Sequence, residues 1–301
     1  MTKRRGSPIP KLPILCWLVL CLASVSAQAA TQYKVSGLVL SVDPPSRTMV
    51  VSCEPIPGFM EAMVMPLSVR EAKELSGLAP GTMVNFTLVV EKESSHAESV
   101  RIRHFTSPAQ ETVLQQRLEA LQKVLQSHVS TAVLQRGQPV PDFTLTDQTG
   151  RTVSLSQFAG KVVLLDFVYT RCVLPDYCYR FSSQFGRLQK RFAGRLGKDA
   201  VLMTITFDPL HDQPEVLANY AKTWKANPKT WYFLTGSPED VQRICSWFGI
   251  ESWPNEGLLV HTLHTAIIDR EGRLAANLEG NQFTSQQLGD LAETVMDRPK
   301  K

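Results

Sequence analysis

The hydrophobic pattern of the chain changes once, and this change constrains the fold more than any other feature. Between Tyr33 and Phe105, short apolar runs are separated by proline and glycine turns, which is typical of a small all-β domain. From Pro139 onward, apolar strands alternate with amphipathic helices, which indicates an α/β domain. The sequence therefore predicts two unlike domains.

Residues 31–105 are predicted to form the all-β domain. About five short strands in about 70 residues suggest a small closed barrel of the OB kind. The predicted strands are Val35–Val42, Thr48–Ser52, Met63–Val69, Met83–Glu91 and Glu98–Phe105.

A linker at residues 108–135 and a second domain at residues 139–299 follow. Leucines recur at helical spacing in the linker, so an amphipathic helix is expected there. In the second domain, Val162–Val168 and Ala200–Phe207 suit buried parallel strands. The other predicted strands and helices are Thr152–Leu155, a helix carrying Phe181, Phe185, Leu188 and Phe192, Glu215–Trp224, Trp231–Thr235, Ala266–Asp269 and Ser285–Met296.

Residues 1–29 have the pattern of a secretory signal peptide. Basic residues at 3–5 precede the apolar stretch from Leu12 to Leu22, and small residues up to Ala29 offer cleavage sites. The apolar stretch is short for a spanning helix, which needs about 20 residues. We expect a periplasmic or otherwise extracytoplasmic protein, anchored in the membrane only if this segment is retained.

The net charge of +4 comes from the first thirty residues, which hold four basic residues and no acidic one. The remainder contains equal numbers of basic and acidic residues. A formally neutral chain lacks the charge expected of a nucleic-acid binder, so no nucleic-acid partner is expected.

Four of the six cysteines lie beyond the signal peptide: Cys53, Cys172, Cys178 and Cys245. Two structural disulfides would be the plain reading outside the cytoplasm. The local contexts differ, however, and Cys245 lies in an apolar helical stretch, where a buried core thiol is expected.

Cys172 and Cys178 lie in one loop directly after a buried strand, with five residues between them. A helix beginning near Pro175 or Asp176 would place Cys178 in its first turn, where the thiolate is favoured. A small disulfide, a redox pair and a Cu(I) or Zn site all remain open on spacing alone.

Two histidines, His261 and His264, precede the predicted strand Ala266–Asp269. Because they are three residues apart, they face opposite sides of an extended segment. At most one is expected to reach the cysteine loop, and a lone histidine beside an apolar run is more often structural.

The segment from Cys53 to Pro66 is rich in methionine. In a strand, Met63 and Met65 project from the same face, since side chains alternate. Two thioethers near the thiol of Cys53 would suit Cu(I) or Ag(I). The alternative is that both methionines are core packing.

Residues from about Pro139 to Met296 resemble the SCO/SenC family of thioredoxin-fold copper proteins. The resemblance rests on Pro141–Leu145, on Leu165–Cys172, on Thr206–Pro209 and on His261 placed eight residues before Asp269. It implies a thioredoxin-like fold and copper as the cofactor. It also implies Cys172, Cys178 and His261 as copper ligands, with Asp208 near the site. The common family spacing leaves three residues between the cysteines, and this chain has five.

Residues 33–105 resemble the CusF-like periplasmic copper-binding domain, a small OB barrel. In that resemblance Met63 and Met65 match the methionine ligands and Cys53 takes the position of a histidine. Met60 replaces a tryptophan that covers the metal.

Together the two resemblances imply an extracytoplasmic copper metallochaperone. The SCO resemblance implies delivery to the Cu(A) centre of a respiratory oxidase, with a cytochrome oxidase subunit as partner. The alternative is a thiol–disulfide reductase that uses Cys172 and Cys178 as a redox pair on cysteines of partner proteins. A third interpretation is copper storage or tolerance. A chaperone needs His261 as a ligand, whereas a reductase could lose it with modest effect.

Overall fold

The computed structural model describes residues 30–92, 94–105, 133–255 and 258–299. The predicted signal peptide lies outside the described residues. So does the predicted linker helix, except for residues 133–135, which have no regular secondary structure. Within the described ranges, no helix is both long and apolar enough to cross a membrane.

Five strands close into a barrel, as the sequence predicts, and their order around it is β1-β2-β3-β5-β4. They are β1 Thr31–Asp43, β2 Thr48–Cys53, β3 Met63–Val69, β4 Met83–Val90 and β5 Ser95–Ile102. The last strand begins and ends three residues earlier than predicted. The assignment to the OB kind stays a prediction.

The barrel closes tightly where β1 meets β2. Gly37 lies opposite Cys53, and a Cβ at this glycine would overlap the side chain of Val51. The pairing shifts register between Val39 and Ser41, and such a bulge bends the strand. The interior is filled by buried apolar side chains such as Leu88.

The second domain is built on a mixed sheet of seven strands, which confirms the α/β class. In sheet order the strands are β14 Leu274–Glu279, β13 His264–Ile268, β8 Val162–Val168, β9 Ala200–Thr206, β10 Trp231–Thr235, β6 Thr144–Asp147 and β7 Thr152–Ser154. The central strands β8, β9 and β10 are parallel. A separate pair is formed by β11 Ser252–Asn255 and β12 Leu258–His261.

In the part of the chain that the structure describes, four helices cover the sheet: α1 Arg180–Arg191, α2 Pro214–Thr223, α3 Pro238–Trp247 and α4 Ser285–Met296. Buried residues of α1, α2 and α4 share one core, and those of α3 belong to the core on the opposite face. The first core also contains Leu38, Leu40 and Met83 of the barrel. The barrel therefore packs directly against the α/β domain.

Candidate metal centres

The first candidate centre begins where β8 ends. All seven residues of β8 are buried, as expected of a central parallel strand, and the chain leaves it into the loop that holds Cys172. Cys172 is half-buried, whereas Cys178 is only 1% exposed. The strand therefore delivers one accessible and one buried thiol to the same edge of the sheet.

A short, kinked helical turn begins at Pro175, as the sequence predicts, and the regular helix α1 begins at Arg180. Residues Pro175–Tyr179 form an irregular turn in which Tyr177 has φ −108° and ψ −114°, outside the helical region. Asn281 donates to the carbonyl of Asp176 at 2.5 Å, which ties this turn to the loop before α4. Cys178 is turned into the interior as a result.

His261, the last residue of β12, completes the centre. Its Nδ1 donates to the carbonyl of Thr262 at 2.8 Å, and its Nε2 is buried without a hydrogen-bond partner among the described residues. The rings of Tyr169, Tyr177 and Phe207 enclose the imidazole. Histidine binds a metal as a neutral imidazole, through one ring nitrogen, while the other ring N–H donates to a partner such as a backbone carbonyl. His261 has this arrangement.

The ligand atoms of Cys172, Cys178 and His261 all lie within 4.8 Å of one another. Two thiols and an imidazole form a donor set that suits Cu(I) or Zn. His264 is not part of this group, because its ring pairs with Asn277 at 3.2 Å. The structure thus brings together the two cysteines of the loop and one of the two histidines, His261.

The two thiols differ strongly in acidity. A hydrogen bond from the Cys178 thiol lowers the pKa of Cys172 to about 4. Burial raises the pKa of Cys178 well above its usual value, and the neighbouring Cys172 raises it further. The thiolate expected at Cys178 is therefore at Cys172, because Cys178 is buried.

Charged residues anchor the cysteine loop from outside. The side chain of Arg171 pairs with Asp208 at 2.7 Å, so Asp208 lies beside the loop as the resemblance implied. His211 also bonds Asp208, at 2.9 Å. The buried Asp212 accepts from the backbone N–H of Thr170 at 3.0 Å. These bonds hold Thr170 and Arg171, the two residues directly before Cys172, in place.

Sequence reasoning missed Asp166, the one charged residue inside the apolar strand β8. Both carboxylate oxygens are buried without a hydrogen-bond partner in the described part of the chain. Burial raises the pKa of Asp166 to about 8. The signal was available, since an aspartate in a wholly apolar run has no water to solvate it.

The second candidate centre lies at one end of the barrel. Cys53 pairs directly with Met63 across β2 and β3, and Val51 pairs with Met65. Because directly opposed side chains share a face, Cys53, Met63 and Met65 lie on the same face of the two strands. Met63 is exposed, Met65 half-buried and Cys53 buried.

Burial raises the pKa of Cys53 to about 12, so a metal would have to displace its proton at neutral pH. Cys245 also has its pKa raised to about 12 by burial. It is a buried residue of α3 that packs into the core on that face of the sheet, in agreement with its interpretation as a core thiol.

Comparison with known proteins decides the family. Residues 132–296, more than half of the chain, match the family model described as SCO1/SenC. The chain belongs to the SCO1/SenC family. Residues 32–103 match a second model, described as "Copper binding periplasmic protein CusF". Both resemblances found in the sequence are confirmed, and the second description supports copper as the cofactor.

Individual relatives are distant. The chain is 27% identical over 149 residues to the SCO1 protein homolog of Bacillus subtilis, covering 48% of this chain and 76% of that protein. It is 30% identical over 172 residues to protein sco1 of Schizosaccharomyces pombe, covering 54% and 62%. A solved structure of BsSco, described as a member of the Sco family of cytochrome c oxidase assembly proteins, matches with a TM-score of 0.47. It is 23% identical and covers 56% of this chain and 100% of that one.

Proposed function

We propose that this SCO1/SenC protein is an extracytoplasmic copper metallochaperone with two Cu(I) sites. The observation that carries the proposal is the group of two thiols and one imidazole nitrogen within 4.8 Å. Membership of the SCO1/SenC family and the match to a copper-binding periplasmic domain support copper over zinc. The ligands proposed for the second site are Met63, Met65 and Cys53.

The residues of the first site are suited to reversible binding. With its pKa lowered to about 4, Cys172 is a thiolate at neutral pH and is half-exposed, so it can take the metal from solvent or from a donor. Cys178 must release a proton on binding. His261 needs no proton loss, because its Nε2 already carries a lone pair. Release of the metal by Cys172, the one of the three ligands that is not fully buried, would open the site again for transfer.

Delivery to the Cu(A) centre of a respiratory oxidase is proposed from family membership. The rim of the site supports contact with a protein acceptor, because Val173, Leu174 and Tyr179 all expose large apolar side chains around the cysteine loop. Exposed apolar groups that cluster at one place favour protein contact. A copper-accepting domain would bury them while it approaches Cys172.

The test is a Cu(I) titration of the reduced chain against a competing chelator, followed by mixing with a metal-free Cu(A) domain. We expect two Cu(I) per chain and transfer of the ion held by the cysteine loop. A chain that binds no Cu(I) at Cys172, Cys178 and His261 would refute the proposal. Binding without transfer to the oxidase domain would refute delivery alone.

The acidity of Cys172 favours a second candidate function, thiol–disulfide reduction. The Cys172 thiolate would attack a disulfide of a partner and form a mixed disulfide. Cys178 would then lose its proton and displace the reduced partner, leaving a Cys172–Cys178 disulfide. His261→Ala distinguishes the two functions, since it should abolish tight Cu(I) binding but leave disulfide reduction largely intact.

A further inference from the structure

The C-terminal helix α4 of the α/β domain holds the barrel at two places. Each place directly precedes a proposed copper ligand in the sequence: Ser52 comes before Cys53, and Ala62 comes before Met63. Cys53 and Met63 are themselves a directly opposed pair. The helix thus contacts the backbone beside both members of that pair.

The contact at Ser52 is buried and doubly bonded. The hydroxyl of Ser52 donates to Oδ2 of Asp290 at 2.7 Å, and Nε2 of Gln287 donates to the carbonyl of Ser52 at 3.1 Å. Because side chains alternate along a strand, Ser52 faces α4 while Cys53 faces the barrel interior. Fixing Ser52 therefore fixes the direction in which the thiol of Cys53 points.

Both partner side chains on α4 are themselves held in place. Arg191 of α1 pairs with Oδ1 of Asp290 at 2.6 Å. Oε1 of Gln287 accepts from the N–H of Thr284 at 2.9 Å, which closes the capping box of α4. Neither Gln287 nor Asp290 can follow a movement of the barrel strand without breaking a second bond.

A third contact lies at the neighbouring strand. Nε2 of Gln286 donates to the carbonyl of Ala62 at 3.3 Å, one residue before β3 begins at Met63. The first turns of α4 are therefore bonded to β2 at Ser52 and to Ala62, the residue directly before β3.

We propose that Gln287 and Asp290 are positioning residues for the copper site of the barrel. The inference rests on the proposed function of the barrel, and it adds that this site depends on the α/β domain. Cys53 comes from one strand, whereas Met63 and Met65 come from the next, so the three sulfur atoms share one ion only while the strands keep their register. Partners that orient metal ligands typically contribute about 10–100-fold in affinity.

The experiment uses the full chain with Cys172→Ser and Cys178→Ser, so that only the barrel site can bind tightly. Ser52→Ala removes the hydroxyl that donates to Asp290. Gln287→Glu removes the donor to Ser52 but keeps an oxygen that accepts from Thr284, so the helix cap is preserved. Thr294→Ala is the matched control, because the hydroxyl of Thr294 bonds only within α4 in the described structure.

Ser52→Ala and Gln287→Glu should each weaken Cu(I) binding by about tenfold or more, while Thr294→Ala leaves it unchanged. X-ray absorption should show three sulfur ligands in the parent chain and two in the variants, as Cys53 is lost. Thermal unfolding of the metal-free variants checks that they fold. A variant that is destabilised but keeps affinity and three sulfur ligands overturns the inference.

A parent chain that binds no Cu(I) gives a different result from an unresponsive variant. That outcome would refute the copper site of the barrel, and the positioning role with it. Cu(I) affinity equal to that of the parent in both variants would refute the positioning role and leave the proposed function intact.

Discussion

The ring of His261 donates from Nδ1 to the backbone carbonyl of Thr262 at 2.8 Å. A carbonyl oxygen can only accept, so this bond places the proton on Nδ1 and leaves the Nε2 lone pair free. Nε2 is buried and unbonded within the described ranges. The backbone thus selects the tautomer that can bind a metal, independently of any metal.

We expect His261→Ala to lower the Cu(I) affinity of the C-terminal site by at least about 100-fold, more than the loss of an orienting partner costs. The reason is that only two sulfur ligands would remain. Competition titration with a Cu(I) chelator measures the effect. His264→Gln is the control, since His264 bonds Asn277 instead of facing the cysteines, and it should bind as the wild type does.

The unequal acidity of the two loop thiols predicts selective alkylation. At about pH 6, Cys172 should react with iodoacetamide as a thiolate, because its pKa is lowered to about 4. Its rate should fall only as the pH drops through about 4. Cys178 should remain unmodified, since burial raises its pKa and shields it. Peptide mass spectrometry identifies the modified residue. If Cys178 is alkylated before Cys172, the assignment of the thiolate to Cys172 is wrong.

Much of the fold could be predicted because it depends on local pattern. Val162–Val168 and Trp231–Thr235 are short apolar runs that suit buried strands, and both were predicted to the residue, as was the more exposed strand Met63–Val69. Two strands of the sheet were missed: Thr144–Asp147, which lies between β10 and β7, and the edge strand Leu274–Glu279. The first has only four residues, and the second consists largely of Ala, Asn and Glu, which are depleted in strands.

The residues of the candidate centres could be predicted from the sequence, but the acidity of their thiols could not. Residue type and spacing identified Cys172, Cys178 and His261, yet the direction of the Cys178 pKa was wrong. Burial decides it, and burial depends on how the Pro175–Tyr179 turn folds inward. The hydrogen bond from Gln287 to Ser52 could not be predicted either, because it joins residues 235 positions apart.

For the barrel, we expect Met63→Leu combined with Met65→Leu to remove Cu(I) binding. Leucine conserves volume, so the free energy of unfolding should change by less than about 1.5 kcal/mol. Met49→Leu is the matched control, because Met49 is a buried methionine of the same barrel and should leave copper binding intact. If the double variant keeps wild-type affinity in a chelator competition, the methionines are packing residues.

The buried Asp166 should make the stability of the whole chain depend on pH. Its folded pKa of about 8 lies above the ordinary carboxyl value near 4. The folded state therefore holds the proton more tightly than the unfolded chain does. The stabilisation that this proton provides is fully present below about pH 4. As the pH rises toward 8, the free energy of unfolding should fall by at most about 1.4 kcal/mol per pH unit.

The variant Asp166→Asn tests this expectation. It has no proton to lose and should flatten the pH dependence, so it should be the more stable protein at about pH 8. Urea unfolding of both chains under reducing conditions across this range is the measurement. Parallel pH profiles for the two proteins would mean that Asp166 is ionised in the folded state and has a polar partner.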